Sequence, residues 1–185
     1  MSISQQIKDI FDQHSKGPRI FALATADKKG IPNVVPIGFL WVANDEETGL
    51  IAVDRILSTS TAYPWNYGLI PRTIALDGDP LDVLVISSEP IIPGALAKCR
   101  PIGVMRMVDS GDQDDKILCV LPKDPVYKGI TDIAQLPEHI GKEIQHFFSV
   151  YKALEGKKTE VGAIEGPEAA KATVKACIEA YKKKQ

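Results

Sequence analysis

Asp77-Gly78-Asp79-Pro80-Leu81-Asp82 runs directly into the apolar segment Val83-Leu84-Val85-Ile86. The glycine and proline predict a turn, and the apolar run predicts a strand over 81–86. Three carboxylates fall within the six residues of that turn. At an effective dielectric of ~20 and a separation of ~5 Å, each carboxylate pair repels by roughly 3 kcal/mol. The stretch therefore predicts a positive charge seated at the entrance to a β structure.

Working upstream from the turn, the loop 58–68 carries Tyr63, Trp65 and Tyr67, and residues 50–54 read as a short strand. Residues 20–25 and 32–42 read as two strands joined by the turn Asp27-Lys28-Lys29-Gly30. Ile3, Ile7, Ile10 and Phe11 stand at helical spacing over 3–13, with Ser2 or Ser4 available as a cap. Downstream, Glu89-Pro90 to Pro93-Gly94 signals a turn, and strands are predicted over 97–108 and 116–121. They are joined by a second acidic loop, Asp109-Ser110-Gly111-Asp112-Gln113-Asp114-Asp115.

From Pro137 the apolar period lengthens. Ile140, Ile144, Phe147, Phe148, Tyr151 and Leu154 predict an amphipathic helix with Pro137 near its first turn. A final helix over 168–181 carries Ala169, Thr173, Ala176, Cys177 and Ala180 and ends in Lys182-Lys183-Lys184, which suit a helix C-terminus and read as a solvated tail. The order predicts a mainly β fold with flanking α elements, a small OB-like five-stranded barrel with an N-terminal helix and two C-terminal helices packed outside it.

At 185 residues, 44% hydrophobic and 25% charged, the chain reads as one globular unit with a real core. A net charge of -2 argues against a general nucleic-acid binder, which needs a basic surface. No apolar run reaches the roughly 18 residues of a membrane span and the start lacks a signal-peptide pattern, so the cytoplasm is the expected compartment. Cys99, Cys119 and Cys177 are widely spaced among apolar residues and read as buried free thiols.

Hard cations such as Mg2+ take oxygen ligands and are commonly held by a few carboxylates together with substrate phosphates. Asp77, Asp79 and Asp82, with Asp109 and Asp114 from the second loop, suit that role, against the alternative of a solvated acidic turn. No Cys and His spacing suggests zinc, and the twelve-residue calcium loop with its terminal Glu is absent. Arg55, Lys116, Lys152, Tyr63, Tyr67 and Tyr151 are the complementary groups, cations and phenols able to grip a doubly phosphorylated anion.

Val53-Asp54-Arg55, Tyr63-Pro64-Trp65-Asn66-Tyr67-Gly68, Asp77 to Val85, Arg100-Pro101-Ile102-Gly103, Asp109 through Lys116, and Phe147-Phe148 through Tyr151-Lys152 together resemble the soluble family I inorganic pyrophosphatases. The likeness is collinear from about residue 45 to the C-terminus. It implies an OB-like barrel and Mg2+-dependent hydrolysis of pyrophosphate to two phosphates in the cytoplasm, commonly as a homohexamer. It further implies Asp77, Asp82 and Asp114 as ligands of the tightest metal, Asp82 bridging to a second, and Asp109 and Asp114 helping to hold the ions that arrive with substrate. The nucleophile would be a metal-bound water with Asp79 as its general base. Arg55, Tyr63, Tyr67, Lys116, Tyr151 and Lys152 would contact the phosphoryl groups.

Two departures accompany the likeness. Before the Asp45 to Gly49 turn the family carries Lys and Glu where this chain has Trp41 and Ala43, and an earlier strand Glu has no counterpart. One lost charge-assisted contact to a buried polyanion costs about 1.5 to 3 kcal/mol, about ten- to two-hundredfold, so the expected turnover lies between weak and absent. Residues 1–43 instead resemble the start of the FMN-binding split barrels related to pyridoxamine-phosphate oxidase, through Phe21 to Asp27, the Lys-Lys-Gly turn and Pro32 to Phe39. The chain thus divides at 1–44 and 45–185, as a chimera would, with the first part completing the barrel. An FMN- or phosphate-binding module and a folded chimera without activity are the competing readings. Bound FMN is not expected, because the later residues that would complete its site are not recognisable.

Overall fold

The computed structural model describes residues 56–92 and 95–184, together with the backbone of residues 20–24. The expected helix over 3–13, the strands over 32–42 and 50–54, and the residues Trp41, Ala43 and Arg55 lie outside the described residues.

The strands are β1 (Ile20–Ala24), β2 (Asn66–Leu69), β3 (Asp82–Ile86), β4 (Ala95–Asp109), β5 (Asp112–Gln113), β6 (Lys116–Val120) and β7 (Thr159–Glu165). The helices are α1 (Glu138–Val150) and α2 (Pro167–Lys184). The sheet runs in the order β1-β4-β6-β3-β2, with β5 and β7 added along β4. All its pairs are antiparallel except β3 with β6, which run parallel with Asp82 opposite Lys116. β1 and β2, the two ends of that path, come against each other, so the sheet curls as an OB-like barrel does. Among the described residues hydrogen bonds do not close it.

Strand alternation sorts the apolar side chains into two cores. Leu84, Ile86, Leu118, Val120, Met105 and Met107 pack with Ile144, Phe147 and Phe148 of α1. Val83, Val85, Ile117, Cys119 and Val104 pack with Ala170, Val174 and Cys177 of α2. The run Val83 to Ile86 is fully buried because both sheet faces are covered. The three cysteines are buried free thiols.

The 15-residue β4 bends at irregularities between Pro101 and Gly103 and between Met105 and Met107, which lets one strand serve several partners. At Gly103 a Cβ would stand 2.9 Å from the Glu165 carbonyl oxygen and 3.1 Å from Ile133 Cγ2. Gly103→Ala is therefore expected to lower stability by about 1–3 kcal/mol, since backbone blocks the added methyl. A denaturant midpoint equal to the wild type's would contradict that.

Several sequence expectations need correction. The loop 58–68 ends in strand, because Asn66 to Gly68 pair with Val83 to Val85. The acidic loop closes through β5 against Val108 and Asp109. β7 is an unanticipated strand; its two residues packed on the core, Val161 and Ile164, lie three apart and break the alternation that marks a strand. Leu154 leaves the α1 stripe and is 78% exposed, because the chain has already turned at Ala153–Glu155. The buried stripe of α2 is Ala170, Val174 and Cys177, of which the sequence reading had only Cys177.

Candidate active site

The carboxylate turn is held from below. Leu81 N–H donates to Thr73 Oγ1 at 2.9 Å, Thr73 Oγ1 donates to the Ile70 carbonyl at 2.5 Å, and Ile70 N–H donates to the Leu81 carbonyl at 2.8 Å. Gly78 sits at φ +91°, a region that favours glycine. Asp79 N–H donates to Asp77 Oδ1 at 3.0 Å, which fixes the Asp77 carboxylate against the backbone of the turn.

Where the turn enters β3, the parallel register with β6 brings Lys116 beside Asp82. Lys116 Nζ lies 2.6 Å from Asp82 Oδ2 and 2.5 Å from Asp114 Oδ1, with its side chain 1% exposed. The same ammonium stands 5.9 Å from the Tyr67 ring centroid and 5.7 Å from that of Phe148. Burial alone would push its pKa down, but Asp82 and Asp114 outweigh burial and hold it above the ordinary lysine value. Tyr67 donates its hydroxyl to Asp82 Oδ2. Burial, then the Asp82 charge, keeps that phenol protonated and so a donor.

A second group forms where β4 ends. Asp109 Oδ2 accepts from Tyr151 Oη at 2.9 Å and pairs with Lys152. Burial favours the neutral Asp109, but the hydrogen bonds from Lys152 and Tyr151 outweigh it and hold the carboxyl below its usual value. Tyr151, raised first by burial and then by Asp109, stays a donor. Tyr63 stacks on Tyr67 at 4.4 Å between centroids, so its ring shapes the wall beside these groups.

The pKa values of Asp77, Asp79 and Asp114 are all raised from the ordinary aspartate value. For Asp77 burial raises the value against the Asp79 N–H bond, and the Asp114 charge adds to it. For Asp79 burial comes first, then Asp77 and Asp114. For Asp114 burial outweighs the attraction of Lys116, and Asp82 raises it further. Desolvation is the main cause of these shifts, and the neighbouring carboxylates add to it although Lys116 lies among them. Among the described residues no three metal-ligating side chains are drawn together into a cation cage. The donors are nonetheless all oxygens, as a hard divalent cation requires, so the residues fit such an ion.

These shifts set a pH dependence for the protein without divalent ions. A carboxyl whose folded pKa exceeds its unfolded value of about 3.9 makes the native state bind more protons, so stability falls as pH rises through that window. Asp77→Asn removes one charge and keeps an oxygen that accepts from Asp79 N–H. Without divalent ions the variant is expected to melt no lower than wild type at about pH 7, the two curves converging below about pH 4. Melting several degrees lower at neutral pH would show that the charged Asp77 carboxylate costs the fold nothing.

The structure thus places Asp82, Asp114, Lys116, Tyr67 and Tyr63 together, with Asp109, Tyr151 and Lys152 as a neighbouring group and Asp77 and Asp79 on the turn. Sequence reasoning gave no role to Arg106 or Asp115, which pair at 2.5 Å on the α2 side of the sheet. The signal was alternation, since Asp115 sits between two residues that face the other way.

A curled β-barrel carrying an acidic, all-oxygen site beside ammonium and phenol groups defines a class of protein built to bring a hard cation and an oxyanion together. Within that class, residues 41–182 match the inorganic pyrophosphatase family model. The chain is 50% identical over 137 residues to soluble inorganic pyrophosphatase 2 of Chlamydomonas reinhardtii, covering 74% of this chain and 71% of that protein. It is 47% identical over 137 residues to the inorganic pyrophosphatase of Geobacillus stearothermophilus, covering 74% and 83%. The crystal structure of the inorganic pyrophosphatase from Thermus thermophilus superimposes with a TM-score of 0.74 at 36% identity, covering 91% of this chain and 94% of that one. The chain belongs to the inorganic pyrophosphatase family. The likeness of residues 1–43 to FMN-binding split barrels gains no support from these comparisons, and an FMN-binding module is not favoured.

Proposed function

We propose that this chain is a Mg2+-dependent inorganic diphosphatase that hydrolyses pyrophosphate to two phosphates. Family membership supports the reaction, and the convergence of Asp82, Asp114, Lys116 and Tyr67 carries the assignment to these residues. Asp77, Asp82 and Asp114, with Asp109 nearby, would hold the ions. Bound Mg2+ supplies charge neutralisation for the substrate and lowers the pKa of water toward neutrality. Asp79 receives the proton of the attacking water. Lys116, Lys152, Tyr67 and Tyr151 donate to phosphoryl oxygens as negative charge builds there. Tyr63 buttresses Tyr67 at the substrate wall, and Arg55, outside the described residues, is assigned the same anion by the family pattern.

The division at 1–44 and 45–185 belongs to this reading. The pairing of β1 with Ala95 to Cys99 supports a first part that supplies a strand to the shared sheet. A homo-oligomer in the cytoplasm is the setting the family resemblance implies; no described helix is long and apolar enough to cross a membrane. The test is phosphate release from pyrophosphate with Mg2+ present and after chelation. Release that is undetectable with Mg2+, or unchanged by chelation, overturns the proposal.

A further inference from the structure

On the sheet face opposite the carboxylate site, Arg106 of β4 joins three segments. Its Nε and Nη2 donate to Glu165 Oε1 and Oε2 of β7 at 3.1 and 2.8 Å. Its Nη1 donates to Asp115 Oδ2 at 2.5 Å and to Thr173 Oγ1 of α2 at 3.0 Å. Asp115 is buried, and its Oδ1 also accepts from Gln113 Nε2 at 2.5 Å and from Met107 N–H at 3.4 Å. Asp114 N–H in turn donates to the Met107 carbonyl at 2.9 Å. Asp115 is therefore fixed to the strand by its side chain while lying between Asp114 and Lys116, whose side chains meet on the other face.

We propose that Arg106 and Asp115 are a positioning pair, which sets the acidic loop so that Asp114 and Lys116 reach Asp82 at the distances found. The inference rests on the reading of Asp114 as a metal-holding residue. Neither member of the pair touches Asp82, so their influence passes through the backbone of residues 113–116. Glu165 bonds Nε and Nη2 while Asp115 bonds Nη1, so the two carboxylates use different nitrogens of one arginine and its two roles are separable. The Arg106–Glu165 fork ties β4 to β7, and the Arg106–Asp115 bond aims the site.

The test compares Asp115→Asn, Arg106→Met, Arg106→Lys and the control Glu165→Gln with wild type. Each folded variant is read for Mg2+ affinity by calorimetry and for kcat and KM with pyrophosphate. Partners that orient ligand-bearing groups typically contribute 10- to 100-fold, so Asp115→Asn and Arg106→Met are expected to weaken Mg2+ binding and lower kcat by about that range, with KM within about twofold. Arg106→Lys restores part of the loss. Glu165→Gln lowers the melting temperature and leaves Mg2+ affinity and kcat within about twofold of wild type. If Arg106→Met does not fold, the isosteric Asp115→Asn decides alone. Mg2+ affinity unchanged in Asp115→Asn, or lowered equally by Glu165→Gln, overturns the pair. A wild type that binds Mg2+ without turning over pyrophosphate would overturn the proposed function instead, and calorimetry on the same proteins would still decide the pair.

Discussion

Lys116→Met is expected to destabilise the protein by about 3–5 kcal/mol in the absence of divalent ions, the usual effect of removing one partner from a buried ion pair. The ammonium is the positive charge seated between Asp82 and Asp114, whose side chains are only 19% and 15% exposed. Methionine fills a similar volume against Tyr67 and Phe148, so packing is largely kept and the loss is electrostatic. Two carboxylates would then face each other across the space the ammonium bridged. That loss is a large fraction of a total stability of about 5–15 kcal/mol. It also makes a sharp secondary prediction, because an added cation can supply the missing charge. A ligand that binds only the native state stabilises by about 2.7 kcal/mol at a hundred times its Kd, so Mg2+ should raise the melting temperature of the variant more than that of wild type. Phosphate release should stay low even when Mg2+ restores folding, since the donor proposed for the substrate is gone. Chemical denaturation with and without Mg2+ checks this. A loss below about 1 kcal/mol would mean that water reaches the two carboxylates and that Lys116 is not the charge that balances them.

The acidic turn and the strand behind it were legible because their signals are local: glycine and proline at a turn, then four apolar residues. So were α1, from its apolar spacing, and the free thiols. The pairing of Asp82 with Lys116 was not readable from composition or spacing, since it depends on a parallel register between strands 34 residues apart. Family resemblance assigned Asp82 to the metal ions and Lys116 to the phosphoryl groups; only the register shows that the two side chains meet each other. β7 was missed because it borrows its regularity from β4, and its own glycine and glutamates hide the alternation. Arg106 was missed for a related reason. Its three partners lie in sequence at 115, 165 and 173, and nothing in its own neighbourhood marks it as different from a surface arginine.

Asp79→Asn should separate catalysis from folding more cleanly than any other substitution in this chain. Asp82 is tied to Lys116 and Tyr67, and Asp109 to Lys152 and Tyr151, so those carboxylates have structural duties as well. Asp79 lies exposed on the turn, anchored through its backbone: its N–H donates to Asp77 Oδ1 and its carbonyl accepts from Ala75 N–H at 2.7 Å. Partial desolvation at the turn, then the charges of Asp77 and Asp114, raise its pKa, which makes it a better proton acceptor than an ordinary aspartate. General bases typically contribute 10²- to 10⁴-fold, and asparagine cannot take a proton, so kcat is expected to fall by about that range. The backbone bonds remain, and one repelling charge is removed, so the variant should fold at least as well as wild type without divalent ions. Mg2+ binding should survive, because the proposed ligands Asp77, Asp82 and Asp114 are intact. The acid limb of the kcat/KM profile should also disappear, since it reports protonation of the base in the free enzyme. Phosphate release from pyrophosphate across pH, together with melting curves, tests both halves at once. Equal rates for the two proteins would remove Asp79 from the chemistry, while a fallen rate accompanied by an equally fallen melting temperature would make it a turn residue and nothing more.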